Sequence, residues 1–264
     1  MTMTAEKQKR RETVLKRRRE KPRRRGVRRR RLGAVKAGAE QRYKQFYLTA
    51  FYDQEQTHRL VSVTRKDHRA LGKLLKREAV RLRLRGAEER VGLVDGAVCL
   101  RKHMEGLSLN AVGLDFYHLS THVHEGKRAT FAEAGGAEEA GERGEAWARQ
   151  VLHAARHEGY GPLWEQLVDW RSRQRGKPRR ASADRLLHYV AERREMIRYE
   201  EFERRGWSIG SGPIESMCKA TTRRLKGPGM RWDADNAEAM MALECLYQSN
   251  LWTHYWARAL SHCN

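Results

Sequence analysis

Two short apolar runs constrain this chain more than anything else in it. RVGLVDGA (residues 90–97) and AVGLDF (residues 111–116) are near-continuous apolar stretches. A strand with one wet face alternates apolar and polar side chains, so runs without alternation point to strands buried on both faces. A short helix is expected between them, around residues 99–104, and another helix after the second run. Strand–helix–strand–helix implies an α/β fold with a partly parallel sheet. The first run ends in Asp95-Gly96 and the second carries Asp115. Both carboxylates therefore fall at the carboxyl ends of strands, where open α/β sheets bind their ligands.

The remaining segments are assigned by pattern. YKQFYLTAFY (43–52) and RLVSVTR (59–65) read as a hairpin around a polar DQEQTH turn. Asp67 is placed to cap a helix reaching about residue 84, with Leu71, Leu74, Leu75, Val80 and Leu82 as its buried stripe. Residues 125–145, containing GGAEEAGERGE, read as a low-complexity loop. Helix is expected over 145–170, broken at HEGYGP, then a basic loop SRQRGKPRR (172–180) and a helix over 184–197. Near the C-terminus, a helix capped by Asp233 or Asp235 shows Ala239, Met240, Leu243 and Leu246 on one face, and a last one carries Leu251, Trp252, Tyr255, Trp256 and Leu260. These aromatics keep helical spacing and read as core rather than base-stacking platforms.

Charge selects the partners. The chain carries a net +22, of which residues 1–40 hold +13 (17 Lys and Arg against four Glu). Such a segment cannot bury a face and reads as a disordered arm that contacts phosphates. The remaining +9 lies in the body, so a polyanion, and nucleic acid first among them, suits the folded part too. No apolar run is long enough for a membrane span, no secretory signal is evident, and Cys99, Cys218, Cys245 and Cys263 show no metal or disulfide spacing. A cytoplasmic protein without a membrane partner is expected.

The chemistry concentrates in GWSIGSGPIESMCKATTRRLKGPGMRW (206–232). Ser211 can cap a helix whose first turn holds Pro213. Glu215, Lys219 and Arg223 recur every four residues and share a face. That face suits a metal beside a phosphate backbone; it equally suits a solvated helix with i,i+4 salt bridges. Asp95, Asp115 and Glu215, if brought together, would repel, and a divalent cation relieves this. Two Mg²⁺ about 3.5–4 Å apart activate a water or 3′-hydroxyl and stabilise the leaving oxygen. The alternative makes Asp95 and Asp115 plain strand-end turn residues. His118 and His122, one turn apart, could join Asp115 around a transition metal, or serve packing and hydrogen bonding.

LVDGA, LDFYHLSTHVHE and GSGPIESMCKATTRRLKGPGMRW, in this order, resemble bacterial insertion-sequence transposases of the Kra type, relatives of the Mutator-like transposases with an RNase H-like DDE core. The resemblance runs from about Gln41 to the C-terminus. It implies that Asp95 is the second catalytic acid and Glu215 the last, both metal ligands. It implies that Asp115, His118 and His122 belong to a signature behind the site, and that Lys219, Arg223, Arg224, Lys226 and Arg231 contact DNA. Residues 41–124 would be RNase H-like strands and helices, 125–205 a helical insertion, and 206–264 the acidic helix with the C-terminal helices. The family has a Trp shortly after DGA where this chain has Val98 and Cys99, and an acid where it has Thr121. The family's first Asp lies on a central strand just upstream of the basic segment. Here only Asp53, in a turn, and Asp67, at a helix cap, precede Asp95 outside that segment. The implied protein is a DDE transposase truncated at its N-terminus, an incomplete core that lacks the first central strand. It would bind transposon ends and target DNA as a homo-oligomer with Mg²⁺, and be nearly inactive alone. A non-catalytic nucleic-acid-binding protein and a metal-dependent nuclease of the same fold are the other readings.

Overall fold

The computed structural model of the chain describes residues 15–17, 45–131, 137–226 and 232–261. The basic arm, apart from one exposed helical turn at 15–17, residues 227–231 with Arg231, and Cys263 lie outside the described residues. The chain divides into two compact units, one formed by Gly72–Gly212 and the other by the residues up to Leu71 together with those from Pro213 on.

The unit that includes both ends of the described chain holds the expected hairpin. β1 (Tyr47–Tyr52) and β2 (Arg59–Thr64) pair antiparallel, Tyr47 opposite Thr64 and Tyr52 opposite Arg59. Asp53 organises the turn: its carboxylate accepts the His58 N–H at 3.2 Å and the Thr57 hydroxyl at 3.0 Å. Asp67 accepts the Ala70 N–H at 2.9 Å, starting α1 (His68–Arg81), whose residues from Gly72 on belong to the other unit. Both acids therefore do local structural work. Only part of the expected stripe of α1 is buried. Leu71 and Leu75 are, but Val80 is 79 % exposed and Leu82 lies beyond the helix end. Val80 sits nine residues from Leu71, half a turn out of phase at 100° per residue, while Glu78 takes the in-phase position and is buried beside Arg77.

The same unit is completed by α8 (Gly212–Arg223), α9 (Ala234–Gln248) and α10 (Trp252–Ser261). Asp233 caps α9, accepting the N–H groups of Asp235 and Asn236. The face α9 buries is Ala237, Met241, Cys245 and Gln248, nearly opposite the expected one at 100° per residue, because that is the side packed on β2. Where α9 ends, Ser249 is buried against the edge of β2: the Val61 N–H donates to its Oγ at 2.9 Å, and its hydroxyl donates to the Cys245 carbonyl at 2.6 Å. The aromatics of α10 are a correction. Trp252, Tyr255 and Trp256 are each about 40–46 % exposed and touch one another edge to face.

The Gly72–Gly212 unit contains the parallel pair. β3 (Val91–Val94) and β4 (Ala111–Leu114) run in register from Val91 opposite Ala111 to Val94 opposite Leu114, joined through α2 (Val98–Glu105). Helices α3 (Phe116–Phe131), α4 (Ala137–His153), α5 (Tyr160–Ser172), α6 (Lys177–Glu192) and α7 (Tyr199–Arg204) complete it. The core is fully buried at Leu114, Leu119, Val123, Val151, Leu163 and Leu167, with Trp147 stacked on Trp170 at 4.5 Å.

The low-complexity loop expected over 125–145 is mostly helix; α3 continues to Phe131 and α4 starts at Ala137, while 132–136 lie outside the described residues. Two of its glycines serve close helix packing instead: a Cβ at Gly144 would stand 3.0 Å from the Lys127 side chain, and one at Gly126 3.2 Å from Trp170. The break expected at HEGYGP falls at Gly159, with φ +89°. The basic loop shrinks to residues 173–176, since α6 begins at Lys177 with Pro178 in its first turn.

The fold is thus mixed α/β, dominated by helix, with two sheets of two strands each; among the described residues no strand joins them. Among the same residues no helix is long and apolar enough to cross a membrane.

Candidate functional site

β3 ends in an exposed carboxylate. Asp95 Oδ1 accepts the Ala97 N–H at 3.0 Å, and Oδ2 has no hydrogen-bond partner among the described residues. Gly96 follows with φ +92°, and a Cβ there would stand 2.7 Å from Arg193 Nε and 2.8 Å from Tyr189 Oη. The close approach is a clamp. Arg193, at the end of α6, donates Nε–H to the Gly96 carbonyl at 2.8 Å and Nη1–H to the Tyr189 carbonyl at 2.9 Å. Its guanidinium lies 3.9 Å from the centre of the Tyr189 ring, which also contacts the His122 ring at 3.8 Å.

Asp115 is a different kind of acid. It is fully buried and both oxygens are committed. Oδ1 accepts the Ser211 N–H at 2.7 Å; Oδ2 accepts the His118 N–H at 3.2 Å and touches His118 Nδ1. Phe116 N–H donates to the Ile209 carbonyl at 2.9 Å, so the 206–211 loop is fastened to the β4–α3 corner. The carboxylate, rather than a Ser211 hydroxyl cap, is what engages this end of the loop.

The histidines are engaged singly: His118 with Asp115, and His122 with Glu125 at 3.2 Å. Both Asp115 oxygens accept hydrogen bonds, and His118 meets this acid through Nδ1. Two tyrosine hydroxyls near these acids, Tyr189 and Tyr199, are buried without a hydrogen-bond partner among the described residues. Burial pushes the Tyr189 hydroxyl up to about 12, eased by Arg193 and reinforced by Asp95 and Asp115. Burial raises Tyr199 well above its ordinary value, with Tyr189 and Asp115 adding to it. Neither tyrosine nor Arg193 was expected at the site. The i,i+4 spacing of Tyr189 and Arg193 at the end of α6 was visible in the sequence, but nothing there says that α6 reaches the β3 turn.

In the other unit, α8 packs one face inward through Met217, Thr221 and Thr222. Glu215, Lys219, Arg223, Arg224 and Lys226 are exposed. Among the described residues Glu215, Lys219 and Arg223 form no salt bridge, so the i,i+4 pairs of a solvated helix are not made.

Among the described residues no three His, Cys, Asp or Glu side chains converge as a metal site. Asp95 on its own fits a hard cation such as Mg²⁺, which takes oxygen ligands and keeps several waters. Asp115 does not fit. No family model, curated protein or solved structure matches this chain.

Proposed function

We propose that the chain is a DDE-type transposase of an insertion sequence, built on an RNase H-like core and acting on DNA by phosphodiester transfer. The observation that carries this reading is Asp95: an exposed carboxylate with an open oxygen, at the carboxyl end of a parallel strand, on a turn clamped from a distant helix. Ligand-binding acids occupy that position in open α/β folds. In this reading Asp95 and Glu215 hold Mg²⁺, which when bound activates a water or 3′-hydroxyl. Ala97 and Arg193 fix the Asp95 turn, and Asp115 with His118 braces the corner behind it. Lys219, Arg223, Arg224 and Lys226 contact phosphates of the transposon ends and target. A homo-oligomer on DNA is part of the reading.

The Ala97 N–H bond to Asp95, the contact of a plain strand-end turn residue, favours a second reading, a non-catalytic nucleic-acid-binding protein whose acids are structural. Iron-directed cleavage separates the two. Fe²⁺ replaces Mg²⁺, and ascorbate with peroxide cuts the backbone beside the metal. The transposase reading expects cuts flanking Asp95 and flanking Glu215, each lost in Asp95→Asn or Glu215→Gln while duplex DNA is still bound. DNA binding with no cut at either position selects the binder.

A further inference from the structure

The helical hairpin α5–α6 carries charge that the site above does not use. Residues 171–185 hold seven Lys and Arg against one acid, Asp184, a net +6, while everything after residue 40 amounts to only +9. Two-thirds of the body's excess charge therefore sits on this one tip.

The tip is built to stay in place. Arg171 grips Asp184 with a fork, Nε to Oδ1 at 2.7 Å and Nη2 to Oδ2 at 3.2 Å, which ties the end of α5 to α6 and neutralises the only acid. The connection is four residues, ending in Gly176 at φ +78°, a conformation L side chains rarely adopt. Arg180 Nε–H donates to the Gln174 carbonyl at 3.1 Å. Arg175, Lys177 and Arg185 are exposed and pair with no carboxylate among the described residues. The sixteen-residue helix α6 starts there with no acid in its first turn and no side-chain cap on Gly176, so its dipole adds to the positive field.

The geometry points to this tip as a grip on the phosphate backbone of duplex DNA, independent of base sequence and separate from the α8 cations. The inference rests on the reading that the chain works on DNA. Lys177 and Arg185 lie about 12 Å apart along the helix axis, the rise of three to four nucleotides of one strand. Residues 171–185 contain no Leu, Ile, Val, Met or aromatic side chain, so the tip lacks the apolar face that interfacial membrane helices insert.

The test is a salt series of full-chain binding to a short random duplex, read by fluorescence anisotropy. The variant combines Arg175→Gln, Lys177→Gln and Arg185→Gln. The control removes the same charge elsewhere, at the exposed Lys73, Lys76 and Arg85. Each lost phosphate contact lowers the log–log salt slope by about 0.9, so the variant is expected to lose about 2–3 of slope and the control under 1. Equal losses in the two proteins, or no loss in the variant, overturn the grip and leave DNA binding standing. So does a variant that weakens only on RNA or on anionic phosphatidylserine vesicles. Failure of the wild-type chain to bind duplex DNA defeats the functional reading itself, and the grip falls with it. Unchanged far-ultraviolet circular dichroism shows that all three proteins are folded.

Discussion

Replacing Asp115 tests the reasoning most severely. Its carboxylate has no exposure and accepts from three donors, the Ser211 N–H, the His118 N–H and the His118 ring. Alanine removes all three and strands the donors. Each hydrogen bond to a charged group contributes about 1.5–3 kcal/mol, partly offset because the carboxylate need no longer be desolvated. Donors left unpaired cost about 1–3 kcal/mol each, so a loss of about 2–5 kcal/mol is expected for Asp115→Ala. Asparagine keeps the shape, and one oxygen can still accept from Ser211. Its NH₂ then faces the His118 backbone N–H, leaving that donor unpaired at about 1–3 kcal/mol. Urea unfolding followed by fluorescence of the stacked Trp147 and Trp170 reports this unit. Hydrogen exchange at the Ser211 amide reports the bond itself. Alanine within about 0.5 kcal/mol of wild type, or asparagine worse than alanine, refutes the assignment of Asp115 as the brace of this corner, since ordinary surface substitutions fall in that range.

The remaining predictions use other features. Gly113→Ala would place a Cβ 2.6 Å from the Phe202 ring, and overpacking of that kind costs about 1–3 kcal/mol in chemical denaturation. Leu119→Ala, at a fully buried core position, is expected to cost about 3–5 kcal/mol by the same assay. Glu215→Gln is expected to change stability by less than about 0.5 kcal/mol, because the side chain is exposed and forms no salt bridge among the described residues; a larger loss would show that the acid is structural. The Tyr189 hydroxyl is raised from 10.0 to about 12, so the folded state holds its proton longer than the unfolded one. That contribution is complete below pH 10 and is lost as pH climbs towards 12. Tyr189→Phe should flatten the decline, and phenolate absorbance should show one late-titrating tyrosine fewer.

What could be read from the sequence was local. The Asp53 turn, the Asp67 and Asp233 caps and the parallel β3–β4 pair depend on neighbours within a few residues or on one short crossover, and all four are present. The 125–145 segment was misread because glycine lowers helix propensity, whereas here Gly126 and Gly144 admit Trp170 and Lys127 at close range. The face of α9 was placed on nearly the opposite side, since apolar residues lie all around the helix and packing against β2 selected among them. At the candidate site, Asp95 was legible from its strand end. Arg193 and Tyr189 were not, because they arrive from about ninety residues away by tertiary packing.

Ser249 has one more effect. A two-stranded sheet keeps open edges that invite foreign backbone. By taking the Val61 N–H, this hydroxyl stands in for one rung of a neighbouring strand. Any segment that docks along β2, from this chain or another, must first evict it and break its 2.6 Å bond to Cys245. The serine thus acts as a latch on that edge, and opening it is the toll on strand exchange there.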